Sequence, residues 1–143
     1  MLRIGKLTDY AVQIMSQLAK AKQELMSATL LADKLHLSVP TVSKILKMLA
    51  EGSLVTSVRG AEGGYLLAKP AAEISIADVI NAMEGGVAMT ECCGHASECI
   101  ISPRCTMQDN WKKINNAVQA MLAQLSIVDM AGPLTLPEHF NGK

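Results

Sequence analysis

Aromatic side chains are nearly missing from this chain: Tyr10, Tyr65, Trp111 and Phe140 are the whole set among 143 residues. Proteins that grip single-stranded nucleic acid rely on aromatic platforms for base stacking, so any nucleic-acid partner is expected to be duplex DNA. No run approaches the roughly 20 consecutive apolar residues of a membrane span. The opening Met1-Leu2-Arg3-Ile4-Gly5-Lys6-Leu7 lacks the unbroken apolar stretch of a signal peptide. The expectation is a cytoplasmic protein with no membrane partner. Paired Cys-x-x-Cys units are also absent, which argues against common zinc ribbons. Neither a Ser/His/Asp set nor a pair of carboxylates is legible around the cysteines, so an enzyme is not expected.

Net charge is zero, with 13 basic and 13 acidic residues, but that balance hides a division. Residues 1–70 carry 9 Lys/Arg against 5 Asp/Glu, and residues 71–143 carry 4 against 8. A basic half beside an acidic half suggests a polyanion-binding module joined to a different one. Half of the residues are apolar, enough for one sizeable core.

In the basic half, Thr8 is a good N-cap, and Ala11, Ile14, Met15 and Leu18 repeat at helical spacing behind it. Ser27 can cap a short second helix over about residues 28–35, with Leu30, Leu31 and Leu35 inward. His36-Leu37-Ser38 then forms a tight turn into a third helix over about residues 39–51. Val42, Ile45, Leu46 and Leu49 make its buried stripe, and Pro40, Thr41, Ser43, Lys44 and Lys47 its outer face. Pro40 suits a first-turn position, and Gly52 ends the helix. Two helices joined by so short a turn, with small hydroxylated and basic residues outward, form a helix-turn-helix pattern. Taken alone, that outer face is equally that of an ordinary solvated helix.

Leu54-Val55-Thr56-Ser57-Val58 reads as a strand, Arg59-Gly60-Ala61-Glu62-Gly63-Gly64 as a turn, and Tyr65-Leu66-Leu67-Ala68 as the returning strand. This is a β wing, with Arg59 at a tip whose glycines admit close backbone approach to a minor groove. Ser38, Pro40, Thr41, Ser43, Lys44, Lys47, Arg59 and Gly60 are the expected DNA contacts. A further helix capped by Ser75 is expected to end near Gly85-Gly86.

A loop from about Gly86 to Pro103 follows, and the four cysteines lie in or just beyond it. Cys93, Cys99 and Cys105 stand six residues apart, with Cys92 beside the first. In a reducing compartment clustered thiols more often hold metal or sense oxidants than form disulfides. Soft thiolates suit zinc or an iron-sulfur cluster, and spacing alone leaves cluster, zinc and unligated thiols open. His95 in the loop is a candidate fourth ligand, or simply a solvated histidine. From Thr106 the sequence reads as one long helix, with Trp111, Ile114, Val118, Met121, Leu125 and Val128 in a seam suited to a second helix.

The residues Leu7-Thr8-Asp9-Tyr10-Ala11, the helix-turn-helix, and Ser57-Val58-Arg59-Gly60 with Gly63-Gly64-Tyr65-Leu66-Leu67 resemble the Rrf2 family of bacterial winged-helix regulators, the IscR/NsrR type. The resemblance covers about residues 1–130. The opening ten residues, Thr90-Glu91-Cys92 and Asn110-Trp111 are most similar to the branch regulating SUF iron-sulfur assembly. It implies a mainly α fold, a winged helix-turn-helix with a two-stranded wing and a long C-terminal dimerisation helix. The expected organisation is residues 1–85 for DNA binding, 86–105 for the cluster loop, 106–130 for dimerisation and 131–143 as a tail. It further implies a homodimer on double-stranded operator DNA, and an iron-sulfur cluster, 2Fe-2S favoured over 4Fe-4S, that alters operator affinity. Alternatives are a nitric-oxide or redox-sensing repressor of the same family and a zinc or thiol regulator without a cluster.

In that resemblance Cys99 and Cys105 are ligands, and either Cys92 or Cys93 is the first. The histidine that IscR-type members place three residues after the last cysteine is Gln108 here, a poor ligand. NsrR-type members recruit an aspartate from the first helix of the other subunit, and Asp9 stands at the matching position. On its own, Asp9 is equally a first-turn acid favoured by the helix dipole. Two further departures are His36 at a turn position often held by glycine, and Ser43 where IscR-type members carry glutamate.

Overall fold

A computed structural model describes residues 3–94 and 99–140. The elements run α1 (Lys6–Lys20), α2 (Ala28–Leu35), α3 (Val39–Glu51), β1 (Val55–Val58), β2 (Gly64–Leu67), α4 (Ile76–Glu84), α5 (Gln108–Gln124) and α6 (Ile127–Met130), with short 3-10 turns between several of them. The fold is mainly helical with one antiparallel two-stranded wing, as the sequence implies.

The stripes expected from spacing are the ones that pack. Ala11, Ile14, Met15 and Leu18 of α1 meet Val42, Ile45, Leu46 and Leu49 of α3 in one core, completed by Ile74, Val79 and Ile80 around α4. Leu31 is fully buried, but Leu30 is 41% exposed. An eight-residue helix turns too little of its surface inward to bury neighbouring leucines on both sides.

Two local expectations need correction. Thr8 is not the N-cap of α1: the helix starts one turn earlier, Gly5 is its N-cap, and Thr8 is buried inside the first turn. The helix read from Thr106 is also interrupted. It runs from Gln108 to Gln124, Leu125 turns extended, and Ser126 caps the separate α6 through a reciprocal bond pair with Asp129. The reason is tertiary. Ile76 N–H donates to the Leu125 carbonyl at 2.8 Å and Ile127 N–H to that of Ile74 at 2.9 Å, so this segment adds a bridge to the start of α4. Leu125 and Ile127 thereby enter the main core, and burying an isoleucine such as Ile127 contributes on the order of 1.5–3 kcal/mol.

The wing is tied down in a similar way. β1 pairs with β2 from Val55↔Leu67 to Val58↔Gly64, and Met26, between α1 and α2, adds a bridge to Tyr65. A Cβ on Gly64 would lie 2.9 Å from Met26 backbone atoms, so a glycine there lets the two strands of chain approach.

Candidate nucleic-acid interface and cysteine site

The unit α2–turn–α3 is built by three local devices. The Ser27 hydroxyl accepts the Leu30 N–H at 3.1 Å and starts α2. His36 closes it in the left-handed region, at φ 54° and ψ 41°, and Leu37 N–H returns to the Ala32 carbonyl at 2.9 Å. A histidine does here what a glycine does more easily. Ser38 then caps α3, accepting the Thr41 N–H at 3.3 Å and donating its own hydroxyl to Thr41 Oγ1 at 2.7 Å. Pro40 sits in the first turn, where no N–H is missed.

The outer face of α3 is as expected: Pro40, Ser43, Lys44 and Lys47 are exposed and Thr41 is half-buried. Arg59 and Gly60 are exposed at the wing tip. Gly60 takes φ 121° and accepts the Gly63 N–H at 3.0 Å, closing the tip. A Cβ on Gly63 would fall 2.1 Å from the Val58 carbonyl oxygen, so the turn excludes any other residue there.

Glycines also open the cysteine loop, with Gly85 at φ 78° and Gly86 at φ 119° stopping α4. Met89 N–H donates to Asn115 Oδ1 at 3.0 Å, tying the loop to α5, and Asn115 is only 5% exposed. The Thr90 hydroxyl lies 3.0 Å from the Cys92 sulfur and 3.2 Å from the Cys93 sulfur. Cys92, Cys93, Cys99 and Cys105 are all half-buried free thiols. Cys99 accepts the Ser102 N–H through its carbonyl at 3.0 Å, and Gln108 Nε2 donates to Ser102 Oγ at 3.0 Å. Gln108 is thus a strut for the end of the loop.

The donor chemistry fits a thiophilic group: soft sulfurs, free, half-buried and accompanied by a hydroxyl able to donate to a thiolate. The geometry of the described residues does not gather them into a site. Among the described residues, no three of His, Cys, Asp and Glu come together in a way that could hold a metal ion. His95 lies outside the described residues. Cys93 lines a polar cleft of about 610 Å³ with Glu84, Asn115 and Gln119. Asp9, exposed, lines a different cleft of about 550 Å³, floored by Val12, Ile80 and Leu122.

Glu84, Asn115 and Gln108 are the site residues that sequence reading missed or undervalued. Glu84 borders the Cys93 cleft while its Oε1 accepts the Gly5 N–H at 2.7 Å and the Thr8 hydroxyl at 2.5 Å, so it links the loop to the start of α1. Only the break of apolar periodicity at Asn115 and an acid just before Gly85-Gly86 hinted at either role.

A helix-turn-helix with a tied wing and an iron-compatible thiol loop is matched, over residues 4–133, by the family model described as Rrf2, iron-dependent transcriptional regulator. The chain belongs to the Rrf2 family. NsrR of Oceanobacillus iheyensis, an HTH-type transcriptional regulator, is 31% identical over 131 residues, 90% of this chain and 89% of that one. Among solved structures, CymR, the global cysteine regulator of B. subtilis, superposes with a TM-score of 0.71 at 28% identity, covering 92% of this chain and 97% of its own. IscR of T. potens gives a TM-score of 0.68 at 27% identity, covering 90% and 85%. Membership in the Rrf2 family makes this chain a transcription regulator, not an enzyme, with DNA as its partner. No described helix is long and apolar enough to cross a membrane.

Proposed function

We propose that this Rrf2 regulator is a homodimer that binds double-stranded operator DNA under the control of an iron-sulfur cluster, in the cytoplasm, and that its targets are iron-sulfur assembly genes of the SUF or ISC type. The supporting observation is the loop of four half-buried free thiols, joined through Glu84 and Asn115 to α1 and α5. Cys99, Cys105 and one of Cys92 and Cys93 would hold the cluster, 2Fe-2S before 4Fe-4S, with Asp9 of the second copy as fourth ligand. When bound, the cluster supplies a redox-sensitive cross-link between thiolates that are otherwise separate.

The chain's own residues carry the readout. Lys44 and Lys47 neutralise phosphates beside the major groove, Thr41 and Ser43 offer hydroxyls to it, and Arg59 enters the flanking minor groove. Ser38 acts chiefly by holding α3 at its cap, while Gly60 shapes the wing tip. Glu84 holds the start of α1, which packs against α3, so a shift of the loop biases how the reading helix is held. The bound group acts only through its different affinity for the two arrangements. A domain division at residues 85, 105 and 130 accords with this reading, except that Leu125 and Ile127 belong to the DNA-binding unit's core. The apolar residues left exposed on α5, Trp111 and Ile114, suit the dimer seam.

A second reading is a thiol regulator without a cluster, favoured by the likeness to CymR, the global cysteine regulator of B. subtilis. Purification without air, with iron and sulfide analysis and a visible spectrum, separates them. Stoichiometric iron and sulfide with salt-dependent duplex binding is the expected outcome. Metal-free or zinc-loaded protein that still binds duplex DNA would establish the second reading.

A further inference from the structure

Between Gln23 and Arg59 the chain contains no arginine, asparagine or glutamine. Arginine reads guanine, and asparagine and glutamine read adenine, by paired hydrogen bonds in the major groove, which leaves lysine as the one remaining guanine reader of that kind. The helix-turn-helix therefore lacks much of the usual vocabulary for direct readout, and the outer face of α3 from Val39 to Lys47 keeps only lysines, hydroxyls and carbon surfaces.

The start of α3 shows which of these is free. The Ser38 hydroxyl is engaged twice, as acceptor from the Thr41 N–H and as donor to Thr41 Oγ1. Beside this pair, in which only the Ser38 hydroxyl is fully engaged, stand Val39, 41% exposed, and Pro40, also exposed. Val39, Ser43 and Lys47 follow one another at four-residue intervals, with Pro40 and Lys44 alongside, so the two apolar residues begin the same outward face that carries the lysines. In helix-turn-helix proteins the N-terminal residues of the second helix are the ones that reach base edges.

We propose that Val39 and Pro40 form an apolar reader for the 5-methyl group of thymine, and that this contact is a main source of sequence discrimination by α3. It rests on the reading of α3 as the major-groove helix. The Val39 methyls and the Pro40 ring are the only exposed carbon groups in the first turn of α3, and thymine alone among the bases presents a methyl in the major groove. Lys44 and Lys47 then anchor the helix without specifying the base.

The test starts with full-length protein and a random duplex library, from which bound sequences are enriched. Each thymine of an enriched site is then replaced singly by uracil, which removes only the methyl group. Wild-type protein is expected to lose about fourfold in affinity at one thymine or more, the effect of returning one methyl-sized apolar group to water. Val39→Ala, and independently Pro40→Ala, should bring the thymine-to-uracil ratio at that position toward one while the salt slope stays the same. An enriched site with no uracil-sensitive thymine, or a ratio unchanged in both variants, overturns the thymine reader alone. Failure to enrich any duplex would overturn the DNA reading on which it stands.

Discussion

The Glu84 carboxylate, at the last residue of α4, accepts the Thr8 hydroxyl of α1 at 2.5 Å and, through the same oxygen, the Gly5 N–H at 2.7 Å. Gly5 is the N-cap of α1 and Thr8 its third helical residue, so Glu84 stands where the carboxylate of a capping box would, but comes from another helix. Removing it strands a buried hydroxyl, since Thr8 is only 1% exposed. Glu84→Ala should cost about 2 kcal/mol and Glu84→Gln less. Urea unfolding at fixed protein concentration measures both. In a Thr8→Val background the Glu84→Ala loss should shrink, and strictly additive losses would separate the two groups energetically.

How far the sequence could be read follows from the range of each interaction. The Ser27 and Ser75 caps and the stripe of α3 rest on short sequence spacings and were legible, whereas Ser38, read only as a turn residue and DNA contact, proves also to cap α3. The cap on α1 was misread because its acceptor lies 79 residues away from Gly5, and Thr8 is the right residue type for a local cap. The break at Leu125 was hidden for the same reason: α5 has no terminating glycine, and what stops it is a bridge to Ile74 and Ile76. The cysteines were legible as residues, but their spacing left cluster, zinc and unligated thiols open, and among the described residues no three ligands gather.

The wing offers a test of packing. Gly64→Ala would drive a Cβ into the Met26 backbone, which cannot yield like a flexible side chain. The expected loss is about 1–3 kcal/mol of stability. Operator affinity should fall as well, because Arg59 is held by this hairpin. Full stability with unchanged binding would show that the Met26 bridge does not position the wing.

Lys44 and Lys47 face outward from the buried stripe of α3. If each neutralises one phosphate, Lys44→Ala and Lys47→Ala should each reduce the log-log salt slope of duplex binding by about 0.9, with similar losses on all sequences. Fluorescence anisotropy across a salt series reads the slope directly. A slope that does not change places that lysine off the DNA.

At the start of α6, Asp129 accepts the Ser126 N–H at 2.8 Å and the Ser126 hydroxyl at 3.0 Å. These bonds, the backbone one first, hold its carboxyl below the ordinary aspartate value. A depressed carboxyl contributes stability above its unfolded value and loses it as pH falls through the folded one, so the cap opens only on the acid side. Carboxyl resonances followed by NMR should show Asp129 titrating below a free aspartate. Ser126→Ala should move it part of the way up, since the backbone donor survives.

Asp9 and Cys93 line different clefts of the chain, and no group of three ligands forms among the described residues. On the proposed reading the set is completed by Asp9 of a second copy, and single substitutions test that assignment. Cys99→Ala and Cys105→Ala should each abolish the cluster, whereas of Cys92→Ala and Cys93→Ala only one should be severe. Asp9→Ala should leave the fold and dimer intact, because the side chain is exposed, yet make the reconstituted cluster labile and shift duplex affinity. His95→Ala should do little. Visible spectra and cluster lifetimes of the variants, reconstituted without air, decide among these. A normal cluster in Asp9→Ala beside a defective one in His95→Ala would place the fourth ligand in the loop, and the metal would then have no direct hold on α1 of the partner.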